Sequence, residues 1–458
     1  MVFPSLALAT LALSVIASAP HVSSASAAPP SHARSSTHLA RVSAVKGVEV
    51  TMPPVGLSIE YPLLAEYLGS ASCPPPALTA ELVRLGSPPL ALAGNSQDLT
   101  VPSGVLTGPL PSWEMATLYT LPATFWTQLH CLLSASRDPL TVGINLKTGE
   151  LAWATKIVAE AEGAATNGLD FSLGNEPDLY NVPNYLSLGK ELGEQEKTSV
   201  AVTLYLQLAT YLQQATAGYG LVGPELATSE HWQHQFPTVI EQLHERTVGV
   251  HLYPFSACKD PRAATISGLL SAGAAESPRS LAWAVADARA AGVPAIISEA
   301  NSVSCGGIAG VSDSPAAAVW AVRFVLSALK TGFHEVRFHI SGGSYDPFFL
   351  RGEQIVDQPL ESALVALNHW LPVGSSLRTI TGVRGLVATA VSGDPGGPEV
   401  ILDNEQARTE TAVLPATHPL VVAVLSAARA GLATATLPVS HGSVKVRVAG
   451  NSVLAVMP

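Results

Sequence analysis

From residue 55 to 341, short runs of apolar and β-branched residues alternate with longer stretches whose apolar positions recur every three or four residues. That rhythm belongs to βα units wound around a parallel sheet. Eight strands are predicted, at residues 56–61, 90–94, 141–146, 169–174, 220–224, 247–253, 295–299 and 335–341. Helices are predicted at 149–165, 185–196, 199–215, 236–246, 280–291 and 315–330. In the first helix Leu151, Ala154, Ile157, Val158 and Ala161 share a face. In the last, Ser314 stands at the N-cap position, Pro315 opens the helix and Gly332 follows its end. Its stripe of Val319, Val322, Leu326 and Leu329 suits a face packed on a sheet. Eight strands with helices over this length predict an α/β fold, a (β/α)8 TIM barrel. The alternative, an open doubly wound sheet, calls for a Gly-rich turn after the first strand. This chain has Glu60-Tyr61-Pro62 there.

Beyond Asp357 the pattern changes. One or two helical turns at 361–369 precede short alternating runs at 386–391, 400–403, 420–425, 443–448 and 452–456. In Val444-Lys445-Val446-Arg447-Val448 apolar and charged residues alternate strictly, and Gly450-Asn451 supplies a turn to the last strand. These runs predict a C-terminal all-β sandwich domain. The barrel is assigned to residues 55–350 and the sandwich to 351–458, with a strand in 47–54 joining the sandwich.

Composition fits a large core with many turns: of 458 residues 47% are hydrophobic and 13% charged, with 37 Gly and 35 Pro. A net charge of −11 without a basic stripe argues against a nucleic-acid partner and offers no steering field for a polyanion. Residues 1–27 resemble an export signal, with an apolar run from Leu6 to Ala19 and Ala25-Ser26-Ala27 as the cleavage site. The segment has no Lys or Arg, so its positive charge is the terminal amine alone. Residues 28–46 read as a disordered linker, no later stretch reads as membrane-spanning, and a secreted protein is expected. Four cysteines (Cys73, Cys131, Cys258, Cys305) permit two disulfides with three connectivities. Their spacing fits no zinc pattern, so neither a metal nor another cofactor is expected.

The fourth predicted strand stops at Gly174 and delivers Asn175-Glu176-Pro177; the seventh ends on Glu299. Parallel barrel strands all end on one face, where active sites form, and strands four and seven stand on opposite sides of that mouth. Two carboxyl groups facing each other about 5–5.5 Å apart suit retaining glycoside hydrolysis. Each glutamate taken singly is equally a solvated loop residue or half of an ion pair. The pair, each member at a strand end, points to chemistry.

Longer motifs around both glutamates resemble glycoside hydrolase family 79, the heparanase and β-glucuronidase family. They are Phe171-Ser172-Leu173-Gly174-Asn175-Glu176-Pro177-Asp178-Leu179-Tyr180 and the run from Ser298-Glu299-Ala300-Asn301 through Cys305-Gly306-Gly307 to Asp313. Gly56-Leu57-Ser58-Ile59-Glu60-Tyr61, Gly94-Asn95-Ser96-Gln97-Asp98 and His251-Leu252-Tyr253-Pro254 match as well. The resemblance covers nearly the whole chain from residue 48. It implies Glu176 as acid/base, Glu299 as nucleophile, and Asn175 as donor to the sugar 2-hydroxyl. Tyr253 would bond Glu299 or the sugar carboxylate, and Glu60, Asn95 and Ser96 would hold sugar hydroxyls. Two departures stand out. Ala91 occupies a position where the family has Arg, and Ser304-Cys305-Gly306-Gly307 lacks the family's tyrosine. Tyr345 or backbone N–H groups around Gly306 would replace that tyrosine.

Cys258 and Cys305 follow neighbouring strands and are expected to form a disulfide between two active-site loops; Cys73 and Cys131 are a weaker pair. His231 and His234 read as surface residues and His339, within strand eight, as structural. The expected function is an exported, retaining exo-β-glycosidase, a β-glucuronidase, with a carbohydrate as its partner. Heparanase-like endo-cleavage would require basic cleft walls, and the chain has 24 Lys and Arg against 35 Asp and Glu. A sugar-binding protein on a degenerate hydrolase scaffold is the non-enzymatic alternative.

Overall fold

A computed structural model describes residues 41–42, 47–105, 118–180, 194–227, 232–393, 397 and 399–457. The expected export signal, most of the linker and His231 lie outside them. Eight parallel strands close into a barrel in chain order. They are β1 Val55–Glu60, β2 Leu90–Ala93, β3 Leu140–Ile144, β4 Leu169–Leu173, β5 Gly220–Leu226, β6 Thr247–Leu252, β7 Ala295–Ala300 and β8 Val336–Ile340. Closure runs from Val336 opposite Val55 to Ile340 opposite Ile59. The strands read as short continuous apolar runs because one face meets the barrel interior and the other the helices. Every residue of β2 and β3 is buried.

The helical layer departs from the sequence pattern in instructive places. Tyr61, expected to end the first strand, instead opens the helix Tyr61–Leu68, because Glu60 is extended and Pro62 fits the first turn. This helix, Pro76–Arg84 and Phe125–Ser136 were not predicted. Two of them are only eight and nine residues long, and such short stretches carry little periodicity. The helix expected at 185–196 falls largely outside the described residues. Glu194–Leu212 runs unbroken through the gap expected at 197–198.

Pro315–Thr331 ends on left-handed Gly332 as predicted, but Ser314 gives its hydroxyl to the Val311 carbonyl instead of capping the helix. Every residue from Ala316 to Leu329 is buried. One stripe was therefore too little, because this helix is covered by the barrel on one side and by the β-domain on the other. Pro359–Trp370 is longer than the one or two turns expected and supplies the helix after β8. Its Asn368 side chain accepts from Val55 N–H at 3.2 Å and donates to Leu85 O at 2.8 Å, tying it to β1. It lies beyond residue 350, where the barrel was expected to end.

The C-terminal β-domain has a large antiparallel sheet in the order Ser376–Thr381, Val387–Ser392, Val400–Asn404, Ser452–Met457, Leu420–Ser426, Arg429–Leu437. Arg41–Val42 and Val48–Glu49 both pair with Ser376–Thr381. A two-stranded sheet, Glu410–Pro415 with Ser443–Val448, packs its Ala412 and Val446 on one face over Leu402, Val422 and Leu454. The opposite face sends Ile401, Ala423, Val453 and Ala455 into the barrel's core. Alternate residues of Ser452–Met457 thus enter two different cores, as strand geometry requires.

Candidate active site

Glu176 and Glu299 reach the barrel mouth by different local devices. After β4, Gly174 turns the chain at φ +80° and Glu176 itself is left-handed at φ 49°, ψ 53°. A non-glycine residue there costs about 1–3 kcal/mol, so the surroundings must hold it. They do: Glu176 N–H donates to the Glu225 carbonyl at 3.0 Å, and Pro177 opens a 3-10 turn. Asp98 anchors the same corner. Its carboxylate accepts Leu146 N–H at 3.0 Å and Asn175 N–H at 3.1 Å, and also pairs with the Tyr180 hydroxyl.

On β7 strict alternation would put Ser298 and Glu299 on opposite faces. Register shifts between β6 and β7 and between β7 and β8 break that alternation. Ser298 gives its hydroxyl to Glu225 inside the barrel, while Glu299 faces the mouth, where Tyr253 donates to its Oε1 at 2.7 Å. Glu299 is 8% exposed and Glu176 20%.

Two histidines join these carboxylates. His251, fully enclosed on β6, places Nδ1 3.1 Å from Glu176 Oε1 and 3.9 Å from Glu299 Oε1, with Nε2 2.9 Å from Glu225 Oε2. His339 on β8 lies 3.4 Å from Glu299 Oε2 and 3.5 Å from Glu60 Oε1. Its expected structural role is therefore corrected: it lines the pocket as a bridge between two carboxylates. Ala91 is buried in β2 beside Ser58, and Ser58 Oγ is 3.4 Å from His339 Nδ1. Residue 91 supplies no cation, and the basic side chain in contact with Glu299 and Glu60 is His339 of β8.

Burial opposes charge on both rings. For His251 the carboxylates of Glu299, Glu176 and Glu225 outweigh it and hold the imidazole well above its ordinary pKa. For His339, Glu299 and Glu60 do the same. Conversely, burial raises Glu176 and Glu60, but hydrogen bonds and charge from His251 and His339 respectively bring both below the usual carboxylate range. One oxygen each of Glu176 and Glu299 and one nitrogen of His251 lie within 4.8 Å of one another, close enough for a cation to bridge. Both His251 nitrogens already face carboxylates, so no lone pair is left to ligate and the donor set does not fit a metal.

The mouth opens into a pocket of about 650 Å³ whose wall includes Glu60, Asn95, Glu176, Tyr253, Glu299 and His339. Gly306 after strand seven, Ser341 and Tyr345 after strand eight, and Lys259 after strand six also line it. Of the remaining expected site residues, Asn175 is buried just behind this wall. Ser96 is not on the wall: its hydroxyl accepts Tyr61 N–H at 2.9 Å and its own N–H donates to Glu60 at 2.7 Å. Ser96 thus positions Glu60 instead of meeting a ligand. Cys258 and Cys305 form a disulfide at the pocket rim, and Cys73 pairs with Cys131. His234 is exposed in a short 3-10 turn.

Neither a protein-family model nor a curated protein matches the sequence. Solved structures do. A 4-O-α-L-rhamnosyl-β-D-glucuronidase from Fusarium oxysporum 12S, in complex with Rha-GlcA, gives a TM-score of 0.70. It is 18% identical, over 90% of this chain and 97% of that one. A family 51 arabinofuranosidase from Xanthomonas axonopodis pv. citri gives 0.62 at 12% identity, over 90% and 97% of the two chains. The family 30 subfamily 8 xylanase Xyn30A from Clostridium acetobutylicum gives 0.56 at 12%, over 91% and 98%. The chain has their fold.

Proposed function

We propose that this protein is a retaining exo-β-glycosidase acting on terminal β-linked glucuronic acid, with Glu176 as acid/base and Glu299 as nucleophile. The observation that carries the reading is the approach of the two carboxylates, with oxygens within 4.8 Å across the barrel mouth. That is the close spacing of a double displacement; an inverting pair stands about 6.5–9.5 Å apart to admit a water. Glu299 attacks the anomeric carbon while Tyr253 holds its Oε1 and His339 stands 3.4 Å from its Oε2. Glu176 protonates the departing oxygen and then activates water against the glycosyl-enzyme ester.

A uronate is supported by the donors at one end of the pocket. Tyr345 and Ser341 share a hydrogen bond of 2.8 Å, Gly306 N–H has no acceptor among the described residues, and Lys259 adds a positive charge. The glucuronidase of like fold points the same way. Export is part of the proposal, and two disulfides support an oxidising compartment.

The test is a panel of aryl β-glucuronide, glucoside, galactoside and xyloside. The wild type is expected to cleave the glucuronide with retention, and Glu299→Gln to lose activity by at least about 10⁴-fold. Turnover of no member would favour a binding protein. Glu176→Ala should regain activity when azide replaces the water that the missing base activates. A variant as active as wild type without azide would remove Glu176 from the mechanism.

A further inference from the structure

Glu225 was not singled out by sequence, because β5 runs to Leu226, two residues beyond its predicted end, and carries this acid inward. Its Oε2 receives both the Ser298 hydroxyl and His251 Nε2, while the other ring nitrogen faces Glu176. A neutral imidazole has one N–H, yet carboxylates that only accept flank both ring nitrogens. The arrangement is satisfied with a proton on each nitrogen.

Building on the glycosidase reading above, we infer that Glu225 and His251 are positioning residues forming a proton relay, in which His251 stores at Nδ1 the proton that Glu176 delivers. In the resting site Nδ1–H donates to Glu176. As the glycosidic C–O bond breaks, its electron pair goes to the leaving oxygen and Glu299 bonds to the anomeric carbon. The Nδ1 proton passes through the Glu176 carboxylate to that oxygen, leaving a neutral ring whose Nε2–H still donates to Glu225. In the second half water adds to the anomeric carbon, the ester pair returns to Glu299, and the water's proton passes through Glu176 back to Nδ1. Proton count and charge are restored after each turnover.

The groups facing this relay come from every adjoining strand. Glu176 follows β4, Glu299 stands on β7, Tyr253 follows β6, and His339 on β8 acts at longer range. The charge of Glu225 also reaches Glu245 and Arg337, and burial holds Glu245 well above the usual carboxylate range. Glu225 is thus the acceptor in direct contact with Nε2.

Glu225→Gln keeps the backbone carbonyl that holds Glu176 N–H but removes the charge. Aryl glucuronides with good and poor leaving groups separate the relay from packing, since only the poor ones need the acid. Glu225→Gln is expected to lower kcat/KM roughly 30-fold for phenyl glucuronide and under about threefold for the 2,4-dinitrophenyl compound. Its basic pH limb should move down by about one unit, and Glu225→Asp should restore both. Equal losses on both substrates with an unmoved limb would overturn the relay. ¹⁵N spectra of histidine-labelled full-length protein read the relay without any substrate, with His251→Asn giving the assignment. At pH 7 the wild-type ring should be doubly protonated and the Glu225→Gln ring singly protonated. A neutral His251 in the wild type would overturn the relay, whereas an absence of glucuronide turnover with a charged His251 would overturn only the substrate reading.

Discussion

A Cβ at Gly174 would lie 2.7 Å from the Tyr180 hydroxyl and 2.8 Å from Leu146, on a backbone already at φ +80°. Both neighbours belong to the corner that Asp98 fastens, so neither is free to retreat. Gly174→Ala combines left-handed strain with overpacking, and should cost about 2–4 kcal/mol. Activity should fall further than stability, because the displaced turn carries Glu176. Thermal unfolding with kcat/KM checks both, and a variant unchanged in either would remove Gly174 from the turn's requirements. The catalytic pair was legible in sequence because a strand end, an Asn and a Pro mark one glutamate, and a matching strand end marks the other. His251 was marked only as part of a motif and given no role, and Glu225 was not marked at all, since an acid inside a barrel and an acid on its surface look alike in sequence. Only the overrun of β5 and the register shift at His251 distinguish them.

Among the elements, the helices Pro76–Arg84 and Pro359–Trp370 meet over an acidic cluster. Arg84 contacts Glu81 at 2.6 Å, Asp357 at 2.8 Å and Glu361 at 3.0 Å, so one cation serves three carboxylates. Glu361 is 3% exposed and pushed up to about 7, chiefly by burial, with Arg84 opposing and Glu81 and Asp357 adding to the rise. The folded protein therefore holds this proton more tightly than the unfolded chain, whose glutamate titrates near 4.5. The resulting stability is full below about 4.5 and is lost as pH rises towards 7. Asp138, Asp346 and Asp403, each raised to about 6, act in the same direction. Between pH 5 and 8 the wild-type Tm should fall more steeply than that of Glu361→Gln. Parallel Tm–pH curves for the two proteins would rule out this origin. The elements missed in sequence fail for related reasons of exposure and length. Arg429–Leu437 is largely exposed and its alternation of Ala with Thr carries little hydrophobic contrast, while Tyr61–Leu68 is too short to display a face.

For the whole molecule, the helix Pro315–Thr331 is where the two parts of the fold depend on each other. It connects β7, which carries Glu299, to β8, which carries His339, and its outer side is covered by the β-domain. Arg323 crosses that boundary: Nε and Nη2 donate to Asp403, Nη2 also to Asn404 O at 3.0 Å, and Nη1 to Leu270 O at 3.2 Å. Lys330, one residue before the helix end, donates to Thr389 at 3.1 Å and is lowered by burial. Asp403 is raised to about 6 by that same burial despite Arg323, so the pair's attraction only partly offsets its desolvation. Arg323→Ala would leave Asp403 buried without its main partner and should cost about 3–5 kcal/mol. Arg323→Met with Asp403→Leu should recover most of that loss, because two apolar side chains need no compensating charge. Its kcat should match the wild type, since neither residue approaches the pocket. If the double variant unfolds as early as the single one, the pair is required for more than its own charges. The β-domain would then hold β7 and β8 in place through this contact, and kcat should fall with Tm.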